Sequence, residues 1–220
     1  MPLIIYELKG SLLLISKIPS KTHRSLSKFW KALHDSSYLT LHAIIYTWAA
    51  EQILPGWVLD LGCEYGLGSL LIFKTNPKLQ VLGIDLDFPA LRYSHDMLYM
   101  GRIPRINASA FTLPFASESF SGICMINLLH LVEDTSIVLY EVKRVLKSGG
   151  VAILSIPQEE SSQIGQSRFS FIKQLEIEIS SIFQEIIYPN EIYGKLPSLP
   201  SQTFRLERKA LVWIALCRKN

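Results

Sequence analysis

The sequence predicts an α/β fold in which a mostly parallel sheet carries helices on both faces. One stretch sets this reading. Val58 to Phe73, VLDLGCEYGLGSLLIF, reads as a buried strand, a glycine-rich turn and the opening of a helix. Similar apolar runs recur at Val81–Asp85, Gly122–Asn127 and Val151–Ile156, with helix-length segments between them. Branched apolar runs without polar alternation suit strands covered on both faces, as parallel strands are.

At 220 residues the chain suits one domain with a short N-terminal addition. With 49% hydrophobic residues it has enough apolar side chains for a full core. The net charge of +3 comes from scattered Lys and Arg, with no basic stripe of the kind a nucleic-acid surface needs. Cys63, Cys124 and Cys217 are far apart and lie in or beside apolar runs, so they read as reduced core thiols. The apolar N-terminus is broken by Glu7, Lys9 and Gly10 and falls short of the roughly 20 apolar residues of a membrane span. A signal peptide's positive leading region is missing too, and the expected location is the cytoplasm.

From the N-terminus, Leu3–Leu8 and Ser11–Ser16 are β-type runs about Lys9-Gly10, expected to form a hairpin. Ile18–Ser37 is mixed and basic, with Phe29 and Trp30 as anchors. Tyr38–Leu54 has helical periodicity, with Leu41, Ile44, Ile45, Trp48 and Leu54 assigned to one face, and Pro55-Gly56 stops it.

In the central stretch, glycines permit tight backbone geometry, and the following helix turns its free N–H groups and positive dipole end toward the loop. That arrangement is expected to hold a polar or anionic ligand at the strand's carboxyl end. The dinucleotide fingerprint would need glycines at 64 and 67, where Glu64 and Leu67 stand, and no phosphate-loop Gly-Lys-Ser/Thr is present. The pattern that fits is D-x-G-x-x-x-G, Asp60 to Gly66. It resembles motif I of the class I S-adenosylmethionine-dependent methyltransferases, with Glu64 in place of the usual middle glycine.

Val81–Asp85 is a second strand ending in an acid about 20 residues beyond the glycine turn, the spacing that sets a carboxylate on ribose hydroxyls. Asp87, before Phe88-Pro89, is the better helix cap, which would leave Asp85 free for ligand. A helix is expected over Asp87–Met100 and a short strand over Arg105–Ala108. Next, Leu113-Pro114-Phe115 and Ser119-Phe120 resemble the family's D-A-x-x-L-P-F-x-x-x-S-F-D stretch, with Ser109 where an Asp or Asn usually meets the adenine amine and Ser121 in place of the final Asp. A serine hydroxyl still accepts a hydrogen bond from an adenine amine. Asn107 would substitute if the register slipped by two, and Phe111 either stacks on adenine or is plain core.

Leu128–Asp134 follows the fourth strand at its carboxyl end, where His130 and Glu133 are the ionisable groups best placed near a transferred methyl. His130 is the catalytic candidate, as a base for an acceptor hydroxyl or amine; its bland alternative is packing under the cofactor or capping the next helix. Thr135–Leu146 reads as an amphipathic helix, and Arg144–Gly150, RVLKSGG, resembles the family's R-V-L-K-P-G-G turn. Phe169–Phe183 has helical spacing, Phe183–Tyr188 reads as a sixth strand, Pro189–Thr203 as a loop and Arg205–Cys217 as the last strand.

The resemblance covers roughly residues 38 to 217, and its strength lies in four motifs in order. It implies a Rossmann-like, seven-stranded, mostly parallel sheet with helices on both faces and an antiparallel last strand. Residues 1–37 are then an N-terminal extension and 38–220 the methyltransferase domain. The motifs look most like the branch containing the ubiquinone and menaquinone biosynthesis methyltransferases. That branch implies S-adenosylmethionine as cofactor, no metal, and methyl transfer to an O, N or C atom of a small molecule. The cofactor contacts it implies are Asp60, Gly62, Cys63, Glu64, Gly66, Asp85, Leu86, Ser109, Ala110, Phe111 and Asn127. The competing reading is a degenerate methyltransferase fold that serves as a binding or partner module, motivated by Glu64, Ser109 and Ser121. An NAD-dependent oxidoreductase shares the architecture but lacks the fingerprint.

Overall fold

A computed structural model describes residues 4–8, 11–15, 36–97, 103–157, 168–188 and 212–220. Strands β1 (Ile4–Leu8) and β2 (Ser11–Ile15) pair antiparallel as the expected hairpin. Helix α1 (Ser36–Gln52) precedes β3 (Gly56–Leu61), α2 (Leu67–Thr75), β4 (Leu79–Asp85), α3 (Phe88–Met97) and β5 (Arg105–Asn107). The chain continues through β6 (Phe120–Ile126), a short 3-10 turn (Leu129–Leu131), α4 (Thr135–Val145) and β7 (Leu146–Pro157). It ends in α5 (Arg168–Ile182), β8 (Glu185–Ile187) and β9 (Val212–Arg218). Phe29, Trp30 and the loop expected at 189–203 lie outside the described residues, as does 205–211 of the expected last strand.

The main sheet has seven strands in the order β5-β4-β3-β6-β7-β9-β8. Neighbours from β5 to β7 run parallel, and β9 runs antiparallel to both β7 and β8. This is the expected Rossmann-like sheet, seven-stranded and mostly parallel with the last strand antiparallel. The chain winds outward from β3 to β5, then returns to β6 and winds the other way. The crevice at such a reversal, outside the strands' carboxyl ends, is where open α/β sheets hold ligands.

The two faces of the sheet bury separate clusters, and the strand period of two sorts the side chains between them. Leu59, Leu61, Ile123, Met125, Leu154 and Ala215 pack with α4 and α5 residues such as Leu139 and Ile179. Val58, Cys124, Ile126, Ile153 and Ile214 pack with α1 and α2 residues such as Ile45 and Ile72. Asp60 has the parity of Val58, so its side chain goes under α1 and α2. Cys63, Cys124 and Cys217 are all buried and free, and burial pushes their thiols up.

The face of α1 is the expected one, widened: Ile45 is buried, and Leu41, Ile44 and Trp48 pack partly buried against the same cluster. Among its described side chains Ala43, Ile45, Tyr46, Ala49 and Ala50 are fully buried, while Leu54 lies beyond the helix and is 64% exposed. Small residues let the helix approach the sheet closely, and a periodicity count weighted toward large side chains passes over them. The strand expected at Gly122–Asn127 is Phe120–Ile126, which leaves Asn127 just past its end. No helix among the described residues is long and apolar enough to cross a membrane.

Candidate functional site

The loop between β3 and α2 is drawn against the end of β4 by its own backbone. Gly62 and Cys63 both donate N–H bonds to the Ile84 carbonyl, at 2.8 and 2.9 Å, and the Gly66 N–H returns to the Cys63 carbonyl at 2.6 Å. Gly62 and Gly66 have φ of 80° and 79°, a left-handed backbone that glycine adopts at no steric cost. Glu64 shares that conformation at φ 48°, where the left-handed region costs a non-glycine residue about 1 kcal/mol. Glu64 is exposed, whereas Cys63 and Gly66 are buried.

Asp85 closes the loop from the other side. Its Oδ2 accepts the Glu64 N–H at 2.7 Å and its Oδ1 accepts the Asp87 N–H at 2.8 Å. The expectation of a free Asp85 therefore needs correction. Asp87 does cap α3, accepting the Ala90 N–H at 2.9 Å, but it also donates its own N–H to Asp85. Each Asp85 oxygen keeps a further lone pair, so the residue type still suits a diol. Leu86, next in the chain, is 67% exposed beside it.

The N-terminus of α2 differs more sharply from expectation. Asp60 is wholly buried, and its carboxylate accepts the Ser69 hydroxyl at 2.6 Å and the Tyr46 hydroxyl at 3.0 Å. The Ser69 backbone N–H also bonds it. The positive end of α2 is thus met from below by a carboxylate of the chain itself and does not stand open to an anion. Burial pushes the Asp60 carboxyl up to about 6, against the pull of the Ser69 and Tyr46 hydrogen bonds. In this position Asp60 supports the loop from beneath.

The wall beyond β5 is built by two motifs acting together. Arg144 donates to the Phe115 and Leu113 carbonyls, at 2.7 and 3.0 Å, and pairs with Glu141 at 2.7 Å. Glu141 accepts the Leu113 N–H at 2.7 Å. The arginine of R-V-L-K therefore clamps the L-P-F loop. Upstream, the Ser109 hydroxyl oxygen accepts the Phe111 N–H at 3.2 Å, while Ala110 and the half-buried Phe111 pack against the core. Asn107 does not offer its amide donors as the fallback envisaged: they bond the Asp85 and Leu86 carbonyls at 2.9 and 3.0 Å. Ser121 sits at the amino end of β6, beside Gly56 and the Pro55 carbonyl, at the opposite end of the strand from the site.

At the carboxyl end of β6, Asn127 takes a left-handed φ of 56° and bonds Ser155 and His42. His130 lies half-buried in the 3-10 turn that follows, and Glu133 is exposed. The cap of α4 is neither of these but Asp134, whose carboxylate accepts the Ser136 and Ile137 N–H groups.

His42, Tyr46, Ser69 and Ser155 were missed from the sequence. The signals were present but faint. His42 and Tyr46, four apart, put two polar-tipped rings on one face of α1. Ser155 is the one hydroxyl within the apolar run of β7.

Residues 59–154 match the methyltransferase domain family. Over 95 residues the chain is 37% identical to a ubiquinone/menaquinone biosynthesis C-methyltransferase from Desulfotalea psychrophila, covering 43% of this chain and 39% of that enzyme. The chain thus spans about two fifths of the length of that relative. A SAM-dependent methyltransferase structure from Thermotoga maritima aligns with TM-score 0.58 and 17% identity, over 90% of this chain and 97% of that one. A structure described as the [4+2]-cyclase SpnF aligns with TM-score 0.59 and 16% identity, over 80% and 81%. At these identities the two structures show the shared fold.

Proposed function

We propose that this chain, a member of the class I S-adenosylmethionine-dependent methyltransferases, binds S-adenosylmethionine at the switch point between β3 and β6 and passes its methyl group to a small-molecule acceptor. The observation that carries this reading is the way the glycine loop is closed. A carboxylate at the end of β4 holds the loop, and a second, buried carboxylate fills the base of α2. Two acids suit a cofactor with ribose hydroxyls and a positive sulfonium; a phosphate at the same helix end would meet Asp60's negative charge.

Bound there, the cofactor supplies an activated methyl that leaves a neutral thioether on in-line displacement by an acceptor O, N or C. The protein's share of the catalysis is positioning. Asp85 receives the ribose hydroxyls on its remaining lone pairs. Gly62, Cys63, Glu64 and Gly66 shape the floor of the methionine end, and Leu86, Ser109, Ala110 and Phe111 flank the adenine. Asn127 walls the site at the end of β6, and His130 takes the acceptor's proton. No metal enters this scheme. The acceptor is a small molecule, residues 1–37 are an extension to the domain at 38–220, and the enzyme works in the cytoplasm.

A second reading has its own support. Glu64 occupies a left-handed position that glycine would take without strain, and the [4+2]-cyclase shows this fold under a different catalytic name. A binding module that keeps the cofactor site without methyl transfer is consistent with both.

The test is calorimetric titration of the full chain with S-adenosylmethionine and S-adenosylhomocysteine. The expected result is micromolar binding of both, weakened about tenfold or more by Asp85→Asn, which keeps the side chain's shape. No binding of either ligand at millimolar concentration sinks the reading.

A further inference from the structure

The hydrogen bonds around Asn127 run in one direction. The Ser155 hydroxyl donates to Asn127 Oδ1 at 3.0 Å, and its oxygen accepts the Asn127 backbone N–H at 3.1 Å. With Oδ1 taken, the amide turns its Nδ2 donor to His42 Nε2, 2.8 Å away. A donor facing that nitrogen makes it an acceptor, which puts the ring proton on Nδ1 and leaves the imidazole neutral. A protonated ring would set two donors against each other. Loss of hydration acts the same way and lowers the His42 pKa to about 4.

Asn127 is itself in an uncommon conformation for a residue with a side chain, one that persists where surrounding bonds over-determine it. The next residue carries the constraint into the site. Leu128 packs so closely on the glycine loop that a Cβ at Gly62 would lie 2.9 Å from its Cδ1. The path therefore runs from α1 through His42 to the turn after β6 and on to the loop after β3.

We propose that His42 is a positioning residue of the cofactor site: its neutral Nε2 holds the Asn127 amide and so fixes the left-handed turn against which the glycine loop rests. This role rests on the cofactor reading above. What it asks of position 42 is a hydrogen-bond acceptor at the reach of Nε2, and no charge. Glutamine supplies a carbonyl oxygen at similar reach. Alanine leaves the Asn127 donor unpaired in a part-buried place, which costs a polar group most of its desolvation.

The test titrates wild type, His42→Gln and His42→Ala with S-adenosylhomocysteine, each variant's melting curve being recorded beside it. His42→Ala is expected to bind about tenfold more weakly, and His42→Gln within about threefold of wild type. A merely space-filling ring would give no such rescue. Nitrogen-15 shifts of the wild-type histidine rings are expected to place the His42 proton on Nδ1 at neutral pH, and they decide the matter should His42→Ala fail to fold. Wild type that binds neither S-adenosylhomocysteine nor S-adenosylmethionine overturns the cofactor reading and this role with it. Wild-type binding with His42→Ala equally tight, His42→Gln as weak as His42→Ala, or a His42 proton on Nε2 overturns the role of His42 alone.

Discussion

The Tyr46 ring occupies the space that a side chain at position 68 would need. A Cβ built on Gly68 would lie 2.1 Å from Tyr46 Cζ and 2.5 Å from each Cε. The ring has little freedom to retreat, since it is buried and its hydroxyl is bonded to Asp60. This contact gives Gly68 a reason: it lets α1 lie directly over the first turn of α2. Alanine inside a helix is ordinarily favoured over glycine by about 1 kcal/mol. Here Gly68→Ala is expected to destabilise the protein by about 1–3 kcal/mol, the range for overpacking a core. In a Tyr46→Ala background the same change should become neutral or stabilising. Urea unfolding of the four proteins in a double-mutant cycle measures this, and additive effects would show that ring and glycine are not in contact.

Asp60 and His42 depart from their ordinary pKa values in opposite senses, and their effects on stability oppose each other. Asp60 is raised by burial from 3.8 to about 6. Its contribution to stability is full below its unfolded value and is lost as pH rises through about 6. His42 is lowered by burial from 6.5 to about 4. Its contribution is full above its unfolded value and is lost as pH falls through about 4. Between pH 4 and 6.5 acidification therefore gains through Asp60 what it loses through His42. Asp60→Asn is expected to make the protein lose stability more steeply on acidification across this window, by on the order of 2 kcal/mol relative to wild type. His42→Gln should shift the difference the other way. Denaturant midpoints from pH 4 to 7.5 report both, and parallel profiles for wild type and the two variants would refute the assignment.

Much of the fold was legible because it rests on continuous apolar runs. Val58–Leu61, Val81–Ile84 and Val151–Ile156 can only be buried on two faces, and the acid ending Val81–Asp85 announced the site. The glycine pattern located the loop. What it did not reveal was which way Asp60 points, and that follows from strand parity: sharing a face with Val58, its side chain enters the core and meets α2 from below. His42 was not legible, since its partner Asn127 is 85 positions away and no spacing rule joins a lone histidine to a distant amide. The clamp of Arg144 on Leu113 and Phe115 was hidden for the same reason. Each motif was visible alone, but the bond between them spans 29 to 31 positions.

Glu64 decides between a working variant loop and a degenerate one. Its backbone N–H is committed to Asp85 at 2.7 Å, a bond glycine would keep. Its side chain is exposed, so charge repulsion against the cofactor's carboxylate is screened by water and salt. Glu64→Gly relieves the left-handed strain but gives the unfolded chain more freedom, two effects of about 1 kcal/mol each that offset. Its stability should therefore stay within about 1 kcal/mol of wild type. S-adenosylhomocysteine affinity should change by less than about threefold, and the same should hold from 50 to 500 mM salt, roughly a threefold range of Debye length. A gain of about a hundredfold, largest at low salt, would mean that the Glu64 carboxylate faces the bound ligand. The loop would then be one that has lost its fit to the cofactor, and the binding-module reading would take precedence.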